Sequence, residues 1–342
     1  MPKKHVAKVL STYELMQMFP DEQSAIDYFA GILWADGIHC PYCKSKNNTP
    51  RKGVPNFHRC NDCRRDFSIR VGTIFERSHI PLHKWLYAMY MLTVSRKGVS
   101  SLQLSKELGI KQHSAWFLLH RIRAACGNMT SKLLSGIVEV DEAYLGGKEK
   151  NKHESKKLHR GRGTVGKVPV FGMRERDGHV VMQVVSATDK ETLQGAIKKN
   201  VADGSTVVTD EHASYEGLGA SPVPERELPE ELNTDKDSKN KDTDETVPVK
   251  TFVHQTVKHS AKRYVDGMAH INSIESVWAV LKRGFYGIYH WFSEKHLPLY
   301  LSEFTFRLNE GNVAIDMIDR LRSLVKGVVG KRLTYKMLVH GF

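Results

Sequence analysis

Three acidic residues hold the pattern with the most chemistry in it: Asp141, Asp210 and Glu275, with Lys282 seven residues beyond the last. Asp141 ends the apolar run 136–140 and Asp210 ends the run 205–209. Short, β-branched runs of this kind predict strands, and a carboxylate at the end of each can point into one cleft. Glu275 lies within 270–278, a stretch that predicts a helix. Two helical turns bring residue i+7 back to nearly the same face, so Lys282 can stand beside a phosphate engaged by a metal at Glu275. Hard oxygen ligands suit Mg²⁺ or Mn²⁺. Two such ions can activate water and steady the leaving oxygen in phosphodiester cleavage. Any one of these carboxylates alone reads as a solvated or capping group; the signal is their order, their settings and the lysine.

The elements that must position this set begin far upstream. Cys40 and Cys43 form one C-x2-C knuckle and Cys60 and Cys63 another, sixteen residues apart. That spacing predicts a zinc ribbon, in which two tight turns give four thiolates to one tetrahedral ion. Arg51, Lys52, Arg59, Arg64, Arg65 and Arg70 surround the knuckles, which favours DNA contact over a purely stapling role. Asp21 and Glu22 suit the start of a short helix packed on the ribbon. Residues 1–79 are therefore read as an N-terminal helix and zinc ribbon.

Residues 80–135 read as a helical DNA-binding region. Pro81 opens an apolar helix, Gly98 breaks it, and residues 99–110 and 111–123 then form a short helix, a glycine turn and a second helix. This is a helix-turn-helix pattern, with a plain helical hairpin as the alternative. Lys111, Gln112, His113 and Ser114 would approach base edges, with Trp116, Leu119 and Ile122 in the core. Cys126 reads as a buried apolar residue.

Residues 136–310 hold the acidic set. After the Asp141 strand, residues 148–167 carry eight Lys/Arg and two Glu, a solvated loop that could track a DNA backbone. Residues 167–173 and 179–185 predict two antiparallel strands joined at Asp177-Gly178. A helix follows from about Asp189, then the Asp210 strand, which gives a mixed α/β layer. Residues 217–250 interrupt it. From Ser221 to Lys250 there are nine acidic and five basic residues and almost no apolar ones, the composition of a disordered insertion. Beyond Lys282, basic and aromatic residues interleave through Trp291, which fits a grip on a strand by phosphate contact and base stacking or, equally, a core turn. Residues 295–309 predict a packing helix and 311–342 a small helical tail.

At 342 residues and a formal net charge of +13, the chain can hold two or three domains and favours a polyanionic partner. No apolar stretch reaches the length of a membrane span, and the N-terminus lacks the h-region of a secretory signal. Five cysteines, four in two knuckles, fit a reducing compartment better than a disulfide scaffold.

Together these residues resemble the DDE transposases of bacterial insertion sequences, in the branch with an N-terminal zinc ribbon (ISXO-type, related to the Merlin elements). The likeness rests on residues 40–43, 72–75, 140–147, 209–210 and 270–278 through 282–284, and it spans nearly the whole chain. It implies an RNase H-like catalytic fold, two Mg²⁺ ions, and cutting and joining of double-stranded DNA at terminal inverted repeats and target DNA. It also implies a homo-oligomer assembled on DNA, no membrane, and a place in the bacterial cytoplasm at the nucleoid. Asp141 and Asp210 carry over directly. The third position in this group is either Glu or Asn; here Asn272 and Glu275 lie one turn apart, and Glu275 is favoured as the better Mg²⁺ ligand. Two other functions fit the same residues: a two-metal nuclease or resolvase on the same fold, and a non-enzymatic zinc-ribbon and helix-turn-helix regulator, which would have no need of the acidic set.

Overall fold

The computed structural model describes residues 7–127, 132–147, 149–158, 163–219, 252–257, 270–311, 314–330 and 332–340. Most of the expected insertion, 220–250, lies outside them. Its first three residues do not: Leu218 is buried in the core, so the packed chain runs on to Gly219.

The N-terminal part opens with α1 (Thr12–Met18) and α2 (Glu22–Leu33). Both start on capping boxes, Ser11 with Glu14 and Asp21 with Ser24, which satisfy backbone donors that a helix start otherwise leaves unpaired. A three-stranded antiparallel sheet follows, made of β1 (Asn48–Pro50), β2 (Phe57–Cys60) and β3 (Asp66–Ser68). Then come α3 (Leu82–Val94), α4 (Ser101–Leu108) and α5 (Gln112–Cys126). Gly109 closes α4 in the left-handed conformation, φ 60°, the usual glycine C-terminal stop.

The second sheet has β4 (Ile137–Leu145), β5 (Val168–Glu175), β6 (Val180–Val184), β7 (Thr206–Thr209) and β8 (Val253–Thr256), with α6 (Lys190–Asn200) between β6 and β7. The strand order is β6-β5-β4-β7-β8. The pairs β6/β5 and β5/β4 are antiparallel, and β4/β7 and β7/β8 are parallel. The β5–β6 hairpin turns at Asp177, which takes a positive φ of 58°, and Gly178. Helices α7 (Asn272–Gly284) and α8 (Leu297–Glu310) cover one face of the sheet, and α6 covers the other.

Two sequence expectations change here. β4 does not stop at Asp141; it continues four residues to Leu145, paired with β5 throughout. The apolar run ends at Val140, but the period-2 burial goes on through Ala143 and Leu145, and alternation rather than an unbroken run defines a strand. The C-terminal segment is also more than a tail. Helix α9 (Met317–Lys326) buries Met317, Leu321, Leu324 and Val325 in the core built by α2, α3 and α5. Val329 bridges to Thr73, and Ile74 N donates to Val328 O at 3.0 Å. A last short helix, α10 (Tyr335–His340), follows. Among the described residues no helix is long and apolar enough to cross a membrane.

Candidate active site

The alternation of β4 sorts its side chains onto two faces. Ala143 and Leu145 point to the α7/α8 core, and Val138 and Val140 to the α6 core. Asp141 shares the face of Ala143 and lies under α7, where Trp278 Nε1 donates to its Oδ2 at 2.9 Å. The indole fits because the strand position paired with Asp141 is Gly172; a Cβ there would sit 2.5 Å from Trp278 Cη2. Asp210 directly follows β7, the parallel neighbour of β4, and its Oδ1 accepts from His212 N at 3.0 Å. Parallel neighbouring strands thus bring the two aspartates to the same end of the sheet.

Burial raises the Asp141 carboxyl, and the charges of Asp210 and Glu275 raise it further. The Glu142 backbone N–H and the Trp278 indole act the other way, and the net pKa is pushed up to about 6. The acidic residues from three separate elements therefore act on one another electrostatically. Among the described residues, the four cysteines are the one group of His, Cys, Asp or Glu side chains drawn close enough to hold an ion. Asp141, Asp210 and Glu275 form a more open cluster linked by charge. A desolvated carboxylate beside two others is nonetheless a donor set that suits a divalent cation of the Mg²⁺ type.

Helix α7 supplies the rest. Ile274, Val277, Trp278 and Leu281 are buried, while Asn272, Glu275 and Lys282 are exposed. At about 100° per residue, Trp278, Lys282 and Glu275 fall within about 60° of one another around the helix, and Asn272 lies roughly a further 60° away. Trp278 marks the flank facing Asp141, so Glu275 and Lys282 share the Asp141 side of the helix.

Three contacts had no counterpart in the sequence reading. Glu139, fully buried two residues before Asp141, accepts from Ser273 N at 2.8 Å and Ile274 N at 3.1 Å with Oε2. Its Oε1 accepts from Arg176 Nε and Nη2 at 3.1 and 2.9 Å. Glu142, on the opposite face of β4, accepts from the Tyr215 hydroxyl, which ties the segment after Asp210 back to β4. Burial lifts Glu142, Tyr215 lowers it, and Asp141 and Asp210 lift it again, to about 7. The only signal for Glu139 was its period-2 spacing from Asp141 inside an otherwise apolar strand.

In the ribbon, the facing sulfur pairs Cys40–Cys63 and Cys43–Cys60 stand 3.6 and 3.5 Å apart, and all four sulfurs lie within 4.8 Å of one another. Zn–S bonds of about 2.3 Å in a tetrahedron put sulfurs just under 4 Å apart, so the donor set fits a structural zinc. Purified protein should carry about one zinc per chain. Freshly purified, folded, reduced protein without zinc would contradict the assignment. Cys60→Ser should lower the metal content while leaving the larger sheet folded, because its hydrophobic cores do not include the ribbon.

At the start of α5, Lys111, Gln112 and His113 are exposed and Ser114 is half-buried. Gln112 Nε2 donates to Ser101 Oγ of α4 at 3.0 Å, and the His113 ring lies 4.9 Å from that of Tyr335 in α10. Leu119, Ile122 and Cys126 are buried, and Trp116 is half-buried against His120 and His296. Past α7, the aromatic residues divide: Phe285 and Phe292 are core, whereas Tyr286 and Trp291 are 60% and 57% exposed.

The chain thus combines a four-cysteine ribbon with a mixed sheet that is covered on both faces and carries two aspartates at one end. The family model for the ISXO2-like transposase domain matches residues 133–243 and 245–309, just over half of the chain, and the transposase zinc-ribbon domain matches residues 20–66. The chain belongs to the ISXO2-like transposase family. It is also 28% identical over 305 residues, 85% of its length and 92% of the other's, to an uncharacterized protein in transposable element ISH50 of Halobacterium salinarum. No solved structure matches it.

Proposed function

We propose that this transposase cuts and joins double-stranded DNA at the ends of an insertion sequence, with Asp141, Asp210 and Glu275 as ligands of two Mg²⁺ ions. The observation that carries the reading is the electrostatic cluster of these three side chains around a desolvated Asp141, assembled from two adjacent parallel strands and one helix. The sheet supports an RNase H-like catalytic domain: counted within the domain its order is 3-2-1-4-5, with only the second strand antiparallel to the other four. When bound, the cations would activate the attacking water or 3′-hydroxyl and steady the leaving oxygen. The Trp278 indole donates to Oδ2 of Asp141 and so orients its carboxylate. Lys282 stands on the same flank of α7 as Glu275 and would hold a phosphate as a point charge. Glu275 is favoured over Asn272 because its charge reaches Asp141 and because Asn272 sits farther round the helix.

End recognition is assigned to residues 80–135, read as a helix-turn-helix in which α5 enters the major groove, with the ribbon and the basic surface adding phosphate contacts. The net charge of +13 predicts duplex binding that weakens steeply as salt rises. Lys111→Ala and Gln112→Ala should weaken binding to the element's ends more than to random duplex, because residues at the start of a recognition helix read bases. Equal loss on both DNAs would make them backbone contacts instead.

The test of the whole reading is a strand-transfer assay on DNA carrying the inverted repeats that flank the gene. Mg²⁺-dependent cleavage at the repeat ends followed by joining to a second duplex is expected. Cleavage without joining would make the protein a nuclease or resolvase, and binding without cleavage a regulator.

A further inference from the structure

The start of α7 is an unusual helix end. Its N-cap position is Ile271, which makes no side-chain capping bond. The first backbone N–H groups of a helix still need acceptors. Two of them, on Ser273 and Ile274, are met from outside the helix by Glu139 of β4. That carboxylate is fully buried and is gripped from behind by Arg176, whose Nη2 also donates to His270 O at 3.1 Å, just before the helix. Negative charge at a helix start is favoured by the helix dipole. Glu139 and Asp141 are two residues apart on one face of one strand, and Glu275 lies one and two residues beyond the capped amides. The same strand therefore holds one carboxylate of the cluster and the cap that places another. A second tie, Trp278 to Asp141, lies about one turn farther along the helix.

We propose that Glu139 is a positioning residue of the cation site: by capping α7 from β4, it sets how far Glu275 stands from Asp141. The inference rests on the two-cation reading above. It predicts that the length of the side chain at 139 matters more than its charge. Gln keeps the length and one oxygen that can accept from both amides, while its Nε2 replaces the oxygen that faces Arg176 and gives up that ion pair. Asp keeps the charge but draws the cap back by roughly 1.5 Å, one C–C bond.

The experiment uses the full chain, with wild type, Glu139→Gln, Glu139→Asp and Asp141→Ala. Amide hydrogen exchange across residues 270–276 is read without added metal, and Mn²⁺ binding is read by electron paramagnetic resonance. Glu139→Asp should speed exchange at Ser273 and Ile274 and weaken Mn²⁺ binding about 10-fold or more, the usual cost of losing a group that orients a ligand. Glu139→Gln, which keeps the capping oxygen, should exchange more slowly at both amides than Glu139→Asp and bind Mn²⁺ at least about three-fold more tightly than it. Folding is checked by circular dichroism, and Gln alone suffices if Asp fails to fold: a folded Gln variant that binds Mn²⁺ as poorly as Asp141→Ala overturns the proposal. So does a folded Asp variant whose exchange or Mn²⁺ affinity equals wild type. If wild type shows no Mn²⁺ binding that depends on Asp141, the two-cation reading fails instead, while the exchange data still decide whether Glu139 caps the helix.

Discussion

Asp141→Asn should abolish Mg²⁺-dependent cleavage and joining, by about 10³-fold or more, while leaving binding to the element's ends unchanged. The substitution keeps the shape and an acceptor for Trp278 but removes the charge. A loss of that size corresponds to about 4 kcal/mol of transition-state stabilisation at 1.36 kcal/mol per decade, within reach of a cation that loses a ligand. Asp210→Asn should match it, because Asp210 occupies the end of the neighbouring parallel strand. The third position is ranked by the same assay: Glu275→Ala should lose cleavage and Asn272→Ala should keep it. The reverse result would make Asn272 the ligand. A separate readout needs no DNA. The Asp141 pKa rises from the ordinary 3.8 to about 6 on folding, so between those values the folded chain holds more protons than the unfolded one. This group's contribution to stability therefore falls as pH rises through that window, and above about 6 the charged Asp141 is a net cost. In EDTA at pH 8, Asp141→Asn should melt at a higher temperature than wild type, and Mg²⁺ should raise the melting temperature of wild type but not of the variant. Cleavage retained by a folded Asp141→Asn protein would remove Asp141 from the chemistry.

What could be read from the chain follows from how local each signal is. The knuckles around Cys40 and Cys60 are four-residue signals, and the structure gathers their sulfurs. Strand β7 was legible because its β-branched run and its acidic end coincide at Thr209 and Asp210. Strand β4 was legible only to Asp141. Glu142 and Tyr144 break the apolar run, and only pairing with β5 out to Val168 shows that the strand continues. Helix α1 was not foreseen: Tyr13, Met16 and Met18 are exposed, and so short a segment is held by the Ser11–Glu14 capping box and by Leu15, buried in the N-terminal core. The site lost most where partners are far apart in sequence. Glu139 to Ser273 spans 134 residues and Trp278 to Asp141 spans 137; neither leaves a local periodicity. Trp278 was visible as a residue of the helix but not as the group that holds Asp141. The return of α9 to the N-terminal core was hidden for the same reason: an amphipathic helix shows that it packs, not on what.

That long-range packing leads to the largest expected effect on stability, at a place remote from the carboxylates. Glu303 of α8 is fully buried and accepts from Arg123 Nε of α5 at 2.6 Å and from the Tyr289 hydroxyl at 2.6 Å. Arg307 stands 3.1 Å away, and its Nη1 donates to Ser95 O at 2.8 Å. Arg123 is itself 1% exposed and lies 4.0 Å over the Tyr300 ring. One buried carboxylate thus joins α5, proposed above to read DNA, to α8, which backs the five-stranded sheet. Burial alone would raise the Glu303 pKa, but the Arg123 and Arg307 guanidiniums, the Tyr289 hydroxyl and the Arg123 hydrogen bond outweigh it, and the net shift is downward. A carboxylate held low contributes stability that is present above its unfolded pKa and lost as pH falls through its folded one, so the wild type should lose stability in acid more steeply than a variant without this group. Glu303→Ala leaves two guanidiniums buried without their counter-charge, and breaking such a pair from one side costs about 3–5 kcal/mol, a large part of the stability of most domains. Replacing Arg123 and Glu303 together by Met and Leu removes one of the two uncompensated charges and should recover part of that loss, Arg307 keeping its bond to Ser95 O, since buried ionic groups and apolar ones of similar volume are often close in stability. Chemical denaturation of wild type, Glu303→Ala and the double variant decides it. If the single and double variants are equally destabilised, the cost is lost packing rather than an uncompensated charge, and the two helices are joined by their apolar contacts alone.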